Sequence, residues 1–338
     1  MRTVVLGVGR MGRRHIQAIQ EMGLDLVGIC DSNRESLLLA QKEQAVSSDL
    51  FYTDATSLLR EKKPDCVVIA STAPSHREYT EVSAAFGAKF ILCEKPMATS
   101  LADCDAMIEA CMKHGACLAI NHQMRFMEQY VEPKNLIESG DFGGLTSIAI
   151  VAGNFGMAMN GTHYFEMLRY MTGEPPCEVT AWFSDECIPN PRGEQFEDRA
   201  GAVRITTRSG KRFYMEIGSD QGNGLQVIYA GRYGQIIMDE LAGRMTLVYR
   251  ESQYRDLPTT RYGMPSIRSD RSIQPADVIS PTKAVLEALL NSTSPPTGED
   301  GRLAVSTLIS AYISNEQNHR PVKLDEIEAF RDRTFPWA

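Results

Sequence analysis

A short apolar run followed at once by a glycine turn and then a helix is the feature that most restricts how this chain can fold. Val4-Val5-Leu6 is β-branched or aliphatic, and Gly7-Val8-Gly9-Arg10-Met11-Gly12 comes next, fitting G-x-G-x-x-G. Residues 11–22 then read as a helix. In this setting the first glycine permits a tight turn, the second removes a side chain that would obstruct a diphosphate, and the third lets helix and strand approach closely. Unpaired N–H groups and the positive end of the helix dipole face an anion lying on the turn. Asp31 closes the second apolar run, at about the 20-residue distance where a carboxylate accepts the ribose hydroxyls of an adenosine. That carboxylate repels a 2′-phosphate, so NAD(H) is expected; Arg34 nearby softens the preference and leaves NADP(H) open. The bland readings are a glycine turn without a ligand and an Asp31 that caps the next helix, a role Ser32 or Asn33 can fill instead.

The rhythm of the first half extends this start. Residues 24–30, 65–70, 89–93 and 116–120 are short apolar runs, and residues 35–44, 76–86 and 100–114 read as helices between them. Such alternation predicts β-α-β units around a parallel sheet, whose strands are covered on both faces and therefore look continuously apolar. The fold class expected is α/β, with a doubly wound Rossmann domain over residues 1–120. A length of 338 residues leaves room for a second domain over 121–338. There, residues 147–153, 178–183, 202–207, 212–218, 225–230 and 245–249 are strand candidates, with Ser209-Gly210 as a hairpin turn, so a mostly antiparallel sheet is expected. Helices are expected near 128–138, 162–171, 281–290 and 301–317, the last free to pack back on the first domain. Residues 250–281 are polar and rich in Pro, Ser and Arg, and read as a long excursion.

Chemistry-bearing residues fall into two clusters. Glu94-Lys95-Pro96 directly follows an apolar strand, and ligands of open α/β sheets sit beyond the carboxyl ends of the strands. Pro96 biases Lys95 toward extended backbone. The second cluster is Asn160-Gly161-Thr162-His163-Tyr164-Phe165-Glu166, where Gly161-Thr162 reads as a helix start and Glu166 shares a helix face with His163. A histidine beside a carboxylate suits proton transfer. It is equally a satisfied structural histidine, and Glu166 has Arg169 or Arg125 as alternative partners. Ser71, Thr72 and His76 follow the 65–70 strand; His76 either lines the nicotinamide pocket or merely begins a helix. Asn121, His122 and Arg125 follow the last Rossmann strand and are expected near the substrate. Arg125 either meets a substrate phosphate or carboxylate or bridges the domains. Tyr164 is a proton donor or a packed helix residue. Trp182, Tyr214 and the methionines between 157 and 171 read as core or pocket wall.

Together, GVGRMG at 7–12, Asp31, STAPSH at 71–76, CEKPMATS at 93–100, GTHYFEMLRYMTG at 161–173 and GRLAVSTLISAYISNEQNHRPVKL at 301–324 resemble the glucose–fructose oxidoreductase / inositol 2-dehydrogenase family. The resemblance implies an N-terminal Rossmann domain, a C-terminal α/β domain on an open sheet, NAD(P)-dependent oxidoreduction of sugars or cyclitols, and dimers or tetramers formed through that sheet. It implies that Gly7, Gly9, Arg10, Met11, Gly12, Asp31, Ser71, Thr72, His76, Glu94 and Lys95 surround the cofactor. Lys95 would hydrogen-bond the reacting oxygen, and His163 would be the general acid/base. Asn121, Arg125, Asn160 and Tyr164 are the substrate candidates. The sequence departs from the family in one place. Many members carry Asp four residues before this histidine, where Met159 stands here, leaving Asn160 or Glu166 to orient His163.

Composition narrows the field further. The formal charge of −8 argues against general nucleic-acid binding, and no apolar run is long enough to span a bilayer. The first residues do not read as a secretory signal, so the eight cysteines, which include no C-x-x-C pair, are expected as free thiols in a cytoplasm, without a metal site. Two other functions compete with sugar oxidoreduction. One is glycoside cleavage through transient oxidation, whose practitioners tend to be longer and exported. The other is a dinucleotide-binding protein without catalysis, favoured only by Met159.

Overall fold

In the computed structural model, which describes residues 1–185, 190–222, 224–258 and 265–338, the first apolar run is strand β1 (Arg2–Leu6), buried from Thr3 onward. Gly7 ends it with a φ of +89°, and α1 (Arg10–Glu21) follows. The alternation continues through β2 (Asp25–Cys30), α2 (Arg34–Gln44), β3 (Phe51–Tyr52), α3 (Ala55–Lys62), β4 (Cys66–Ile69), α4 (His76–Ala85), β5 (Phe90–Cys93), α5 (Leu101–His114) and β6 (Cys117–Ile120). The strands pair in the order β3-β2-β1-β4-β5-β6, every pair parallel. This is the doubly wound order, and its direction reverses between β1 and β4, where a crevice opens beyond the strands' carboxyl ends. β3 and α3 carry little pattern: β3 is two half-buried residues, and the start of α3 is marked by Asp54, whose Oδ1 accepts the Ser57 N–H at 2.7 Å.

The second sheet follows α6 (Glu128–Glu138). Its strands are β7 (Leu145–Gly153), β8 (Pro176–Phe183), β9 (Gly201–Thr207), β10 (Arg212–Gly218), β11 (Leu225–Gly231), β12 (Gly234–Asp239), β13 (Arg244–Arg250), β14 (Ser266–Ser272) and β15 (Val322–Lys323). Among the described residues they pair in the order β14-β13-β12-β11-β7-β10-β9-β8-β15. All pairs are antiparallel except β7 with β10. One face, including Ile148, Ile150, Phe213, Met215, Val227 and Tyr229, is buried, and α7 (Thr162–Thr172) and α9 (Gly298–Glu316) pack on it. The other face is open. Tyr214 and Trp182 stand on it 41% and 46% exposed, rather than in a core or pocket wall.

In the second sheet two strands differ from the sequence expectation. β12 follows β11 after a tight turn and lacks a break long enough to announce it. β14 lies inside the supposed excursion, whose residues 259–264 fall outside the described set. Its sequence, SIRSDRS, is almost wholly exposed at the sheet's edge, so there is no buried side to impose alternation. Charges on an edge strand discourage further pairing.

The last helices return to the first sheet. α8 (Ile279–Leu290) sets Val285, Leu286 and Leu289 into the apolar cluster of Val5 and Ile16, and Lys283 pairs with Glu21 at 2.8 Å. α9 begins three residues before the expected start because Thr297 and Asp300 form a capping box. It lies so close to β6 that a Cβ on Gly301 would stand 2.4 Å from Ile120 Cγ1. Among the described residues, no helix is long and apolar enough to cross a membrane. The seven described cysteines are free thiols, and Cys187 lies outside the described residues.

Candidate active site

The glycine turn has the shape a diphosphate requires. Gly7 sits so near the end of β4 that a Cβ would fall 2.4 Å from Ser71 N, and one on Gly12 would fall 2.0 Å from Gly7 O. Gly9, by contrast, has no atom within 4 Å of that position, so the space above it is open. Arg10 is exposed at the start of α1 and Met11 half-buried beside it. Asp31 is half-buried and ties the turn to β2. Its Oδ2 accepts the Val8 N–H at 2.7 Å, and its Oδ1 the Asn33 N–H at 2.8 Å. The cap of α2 is Asn33, whose Oδ1 accepts the Glu35 N–H at 2.9 Å. Each Asp31 oxygen keeps a further lone pair for a ribose hydroxyl. The turn therefore fits an adenine dinucleotide.

Strand β5 delivers Glu94 and Lys95 beside this turn, both buried, with a cis peptide between Lys95 and Pro96. Glu94 Oε1 lies 2.8 Å from His15 Nε2 on α1 and accepts Asn121 Nδ2 at 2.7 Å. Burial opposes its charge, but these contacts and neighbouring Lys95 outweigh burial and hold the carboxyl at about 2. Glu94 is thus a fixed anion that knits β5, α1 and the end of β6 together. Burial lowers the Lys95 ammonium to about 8, against the pull of Glu94. Its Nζ donates to the carbonyl of Met159, in the helical turn that leads into α7.

That turn brings His163 to the lysine. The imidazole is buried, and its pKa lies well below the ordinary value because of burial first and then the charge of Lys95. Its Nδ1 has no hydrogen-bond partner. His122 meets it edge-on, ring centroids 5.5 Å apart, with both of its own nitrogens unpartnered and its pKa lowered by burial to about 3. Lys95, at the end of β5, and His163, in the first turn of α7, are thus brought within electrostatic reach of each other.

Neither residue expected to orient His163 does so. Asn160 Nδ2 donates to the Phe155 carbonyl at 2.8 Å. Glu166 takes Arg125, which also reaches Asp300 at 3.1 Å, while Arg169 lies 2.5 Å from Asp300. This buried ion cluster joins the segment after β6, α7 and α9, so Arg125 bridges the two parts of the chain and is not left free for a substrate anion. The Tyr164 hydroxyl donates to buried Glu240 at 3.0 Å, and burial raises its pKa well above the ordinary value; it is a packed residue here. The His76 ring nitrogens lie 3.1–3.2 Å from the carbonyls of Pro96, Met97 and Ser71, an internal strut rather than a pocket wall. Ser71 and Thr72 are half-buried, and the Ser71 hydroxyl accepts from Ser75 at 2.8 Å.

Two residues absent from the sequence expectation belong to the site. Asp198, just before β9, accepts the N–H groups of Ala158 and Met159 at 2.7 and 2.8 Å. Gly156, with a φ of +80°, gives it room: a Cβ there would fall 2.0 Å from Asp198 Oδ2. Burial raises the Asp198 carboxyl to about 6, opposed by the two N–H bonds and by Lys95 and Arg192. Arg192, from the same loop, lies within electrostatic reach of Lys95, Arg10, Glu94 and Asp198. The loop has no periodic pattern that could have announced either residue. Near them Asn154, Met159, Asn160, Asn190 and Asp198 help to line a cavity of about 240 Å³.

A doubly wound parallel sheet with an open glycine turn, joined to a largely antiparallel sheet on which α7 packs with His163 in its first turn, defines a dinucleotide-binding protein of two-sheet architecture. Residues 1–122 match the model of the oxidoreductase family with the NAD-binding Rossmann fold, the GFO/IDH/MocA family. The resemblance read from the motifs is thereby shown. The chain is 26% identical to the myo-inositol 2-dehydrogenase of Thermotoga maritima, over 97% of this chain and 99% of the relative. It is 34% identical to the D-apiose dehydrogenase of Paraburkholderia graminis over 41% of this chain, a match that spans only 36% of that relative. An Agrobacterium radiobacter oxidoreductase solved with NAD+, L-tartaric acid and magnesium has the same fold, with a TM-score of 0.79 at 20% identity over 97% of this chain and 99% of its own.

Proposed function

We propose that this chain transfers a hydride between NAD(H) and a CH–OH or ketone carbon of a sugar, sugar derivative or cyclitol. The observation that carries this reading is that buried Lys95 bonds the Met159 carbonyl in the turn that leads to buried His163, at the end of a strand in the sheet that carries the open glycine turn. The dehydrogenase names of the relatives support it, and no relative named above is a glycosidase.

When bound, the nicotinamide supplies the hydride acceptor or donor. In the oxidative direction His163, neutral because it is buried beside a cation, takes the hydroxyl proton. Lys95, held by the Met159 carbonyl, keeps its ammonium directed at the reacting oxygen and stabilises the negative charge that grows there. In the reductive direction the same proton returns from His163. Asp31 disfavours a 2′-phosphate, so NAD(H) is the working cofactor in preference to NADP(H). Just after β6, His122 meets the His163 ring edge-on and Asn121 bonds the Glu94 carboxylate, and the substrate approaches the pair past them.

Lys95→Ala and His163→Ala are expected to lower turnover by about 10²–10⁴-fold while NADH affinity, read by fluorescence titration, stays nearly intact. Wild-type turnover in both variants would remove the assignment. A panel of sugars and inositols with NAD and NADP, read at the nicotinamide absorbance, tests the activity itself. We also take the open face of the second sheet as the contact through which copies of the chain associate. It exposes Val151 and Tyr214 and carries a hollow of about 730 Å³ lined in part by Ala149, Ile228 and Leu241.

A further inference from the structure

Of the charged groups around the cleft, one has no partner that accounts for its burial. Glu94 is occupied by His15, Asn121 and the Lys95 N–H. Asp198 spends both oxygens on the backbone of Ala158 and Met159. Lys95 is held by the Met159 carbonyl. Arg192 is different. Arg192 is half-buried, and its Nη1 is buried without a hydrogen-bond partner among the described residues. Glu94 and Asp198 attract the guanidinium and Arg10 and Lys95 repel it, while both carboxylates spend their hydrogen bonds elsewhere. Leaving a buried charged donor unpaired is costly, and a protein retains such a group where something else completes it.

The loop that carries Arg192 is built, not slack. Asn190 Oδ1 accepts the Arg192 N–H at 3.0 Å, and the Asn190 carbonyl accepts from Gly193 at 3.1 Å. Asp198 pins the loop to the turn before α7, and the Glu197 N–H donates to the Pro336 carbonyl at 2.7 Å. The backbone on both sides of Arg192 is therefore fixed beside the turn that leads into α7, and its guanidinium lies within electrostatic reach of Lys95. Arg10 already stands at the glycine turn for the cofactor's diphosphate.

We infer that Arg192 is the anion-recognition residue of the substrate site, and that the substrate is a polyhydroxylated carbon skeleton carrying a carboxylate or phosphate. This rests on the oxidoreductase reading above and narrows its substrate from neutral sugars to anionic ones. The planar fork of guanidinium donors matches both oxyanions, and Arg125 and Arg169 are already paired with Glu166 and Asp300. A substrate anion on Arg192 sets the distance from its charged end to the carbon facing Lys95.

The test is calorimetric titration of the NADH-loaded protein with D-gluconate, D-galacturonate and D-glucose 6-phosphate, beside D-glucose and myo-inositol. The anions are expected to bind more tightly than the neutral compounds. Arg192→Gln should weaken anion binding by about 10–100-fold, and Arg192→Lys by less, because it keeps the charge but loses the fork. Circular dichroism and NADH affinity should match wild type. Binding of the carboxylates alone, or of the phosphate alone, identifies the headgroup. Anions that bind no better than neutral sugars overturn the inference. So does an Arg192→Gln protein that loses NADH affinity but not anion affinity, since the arginine then serves the cofactor. If anions bind through Arg192 yet no probe changes nicotinamide absorbance, hydride transfer fails and anion recognition stands. If neutral polyols turn over while anions do not bind, the reverse holds.

Discussion

Lys95 is asked to be a cation in a place that disfavours cations, and its chemistry follows from that conflict. Its protonated form is the one that donates to the reacting oxygen, so kcat/KM is expected to fall as pH rises through about 8. His163 titrates well below its ordinary value, so the acid limb lies well under neutrality and the profile has a plateau between the two. Stability runs the other way. The folded Lys95 gives up its proton near 8, while the unfolded side chain keeps it to about 10.5. Between these values the unfolded state binds more protons, so this residue's contribution to stability rises with pH as activity declines. Asp198 acts on Lys95 to raise its pKa. Asp198→Asn should move the alkaline limb to lower pH by up to about one unit. A limb that stays in place would mean that Asp198 serves only as a cap for the turn before α7.

At the level of elements, the site depends on close approaches that glycine alone allows. Gly301 sets α9 against β6, and α9 in turn carries Asp300 into the ion cluster with Arg125 and Arg169. Gly301→Val overfills that contact and should cost about 1–3 kcal/mol, read as a lower denaturant midpoint. An unchanged midpoint would mean the helix does not lie where it is placed. The glycine turn, the parallel strands and the delivery of Lys95 were legible because each is written within a few neighbouring residues. The pairing of Lys95 with His163 became legible only through the family resemblance, since nothing local connects residues so far apart. Arg192 and Asp198 were not legible at all. Their loop has no period, and their meaning comes from contacts with segments distant in sequence. Glu166 misled for a related reason: helical spacing put it beside His163, but a buried arginine from another element claims it. Likewise β14 was hidden because an exposed edge strand has no buried side to shape its sequence.

For the molecule as a whole, the second sheet has a covered face and an uncovered one. The uncovered face holds Val151 at 49% and Tyr214 at 41% exposure on neighbouring strands, apolar side chains that a second copy would cover. Sedimentation of the wild type should give a dimer or tetramer, and Val151→Lys with Tyr214→Lys should give a monomer of unchanged NADH affinity. A monomeric wild type would assign that surface elsewhere. One remaining feature ties these scales together. Trp337 is fully buried and donates its Nε1 to the Ala98 carbonyl at 2.9 Å, Phe335 bonds to Thr99, and Pro336 to Glu197. The segment from 335 to 337 is thus a rivet through both the lysine turn and the loop of Arg192 and Asp198. Damage to it, with no chemistry touched, would make proton affinity and ligand preference drift in step, and a lesion outside the cleft would mimic one within.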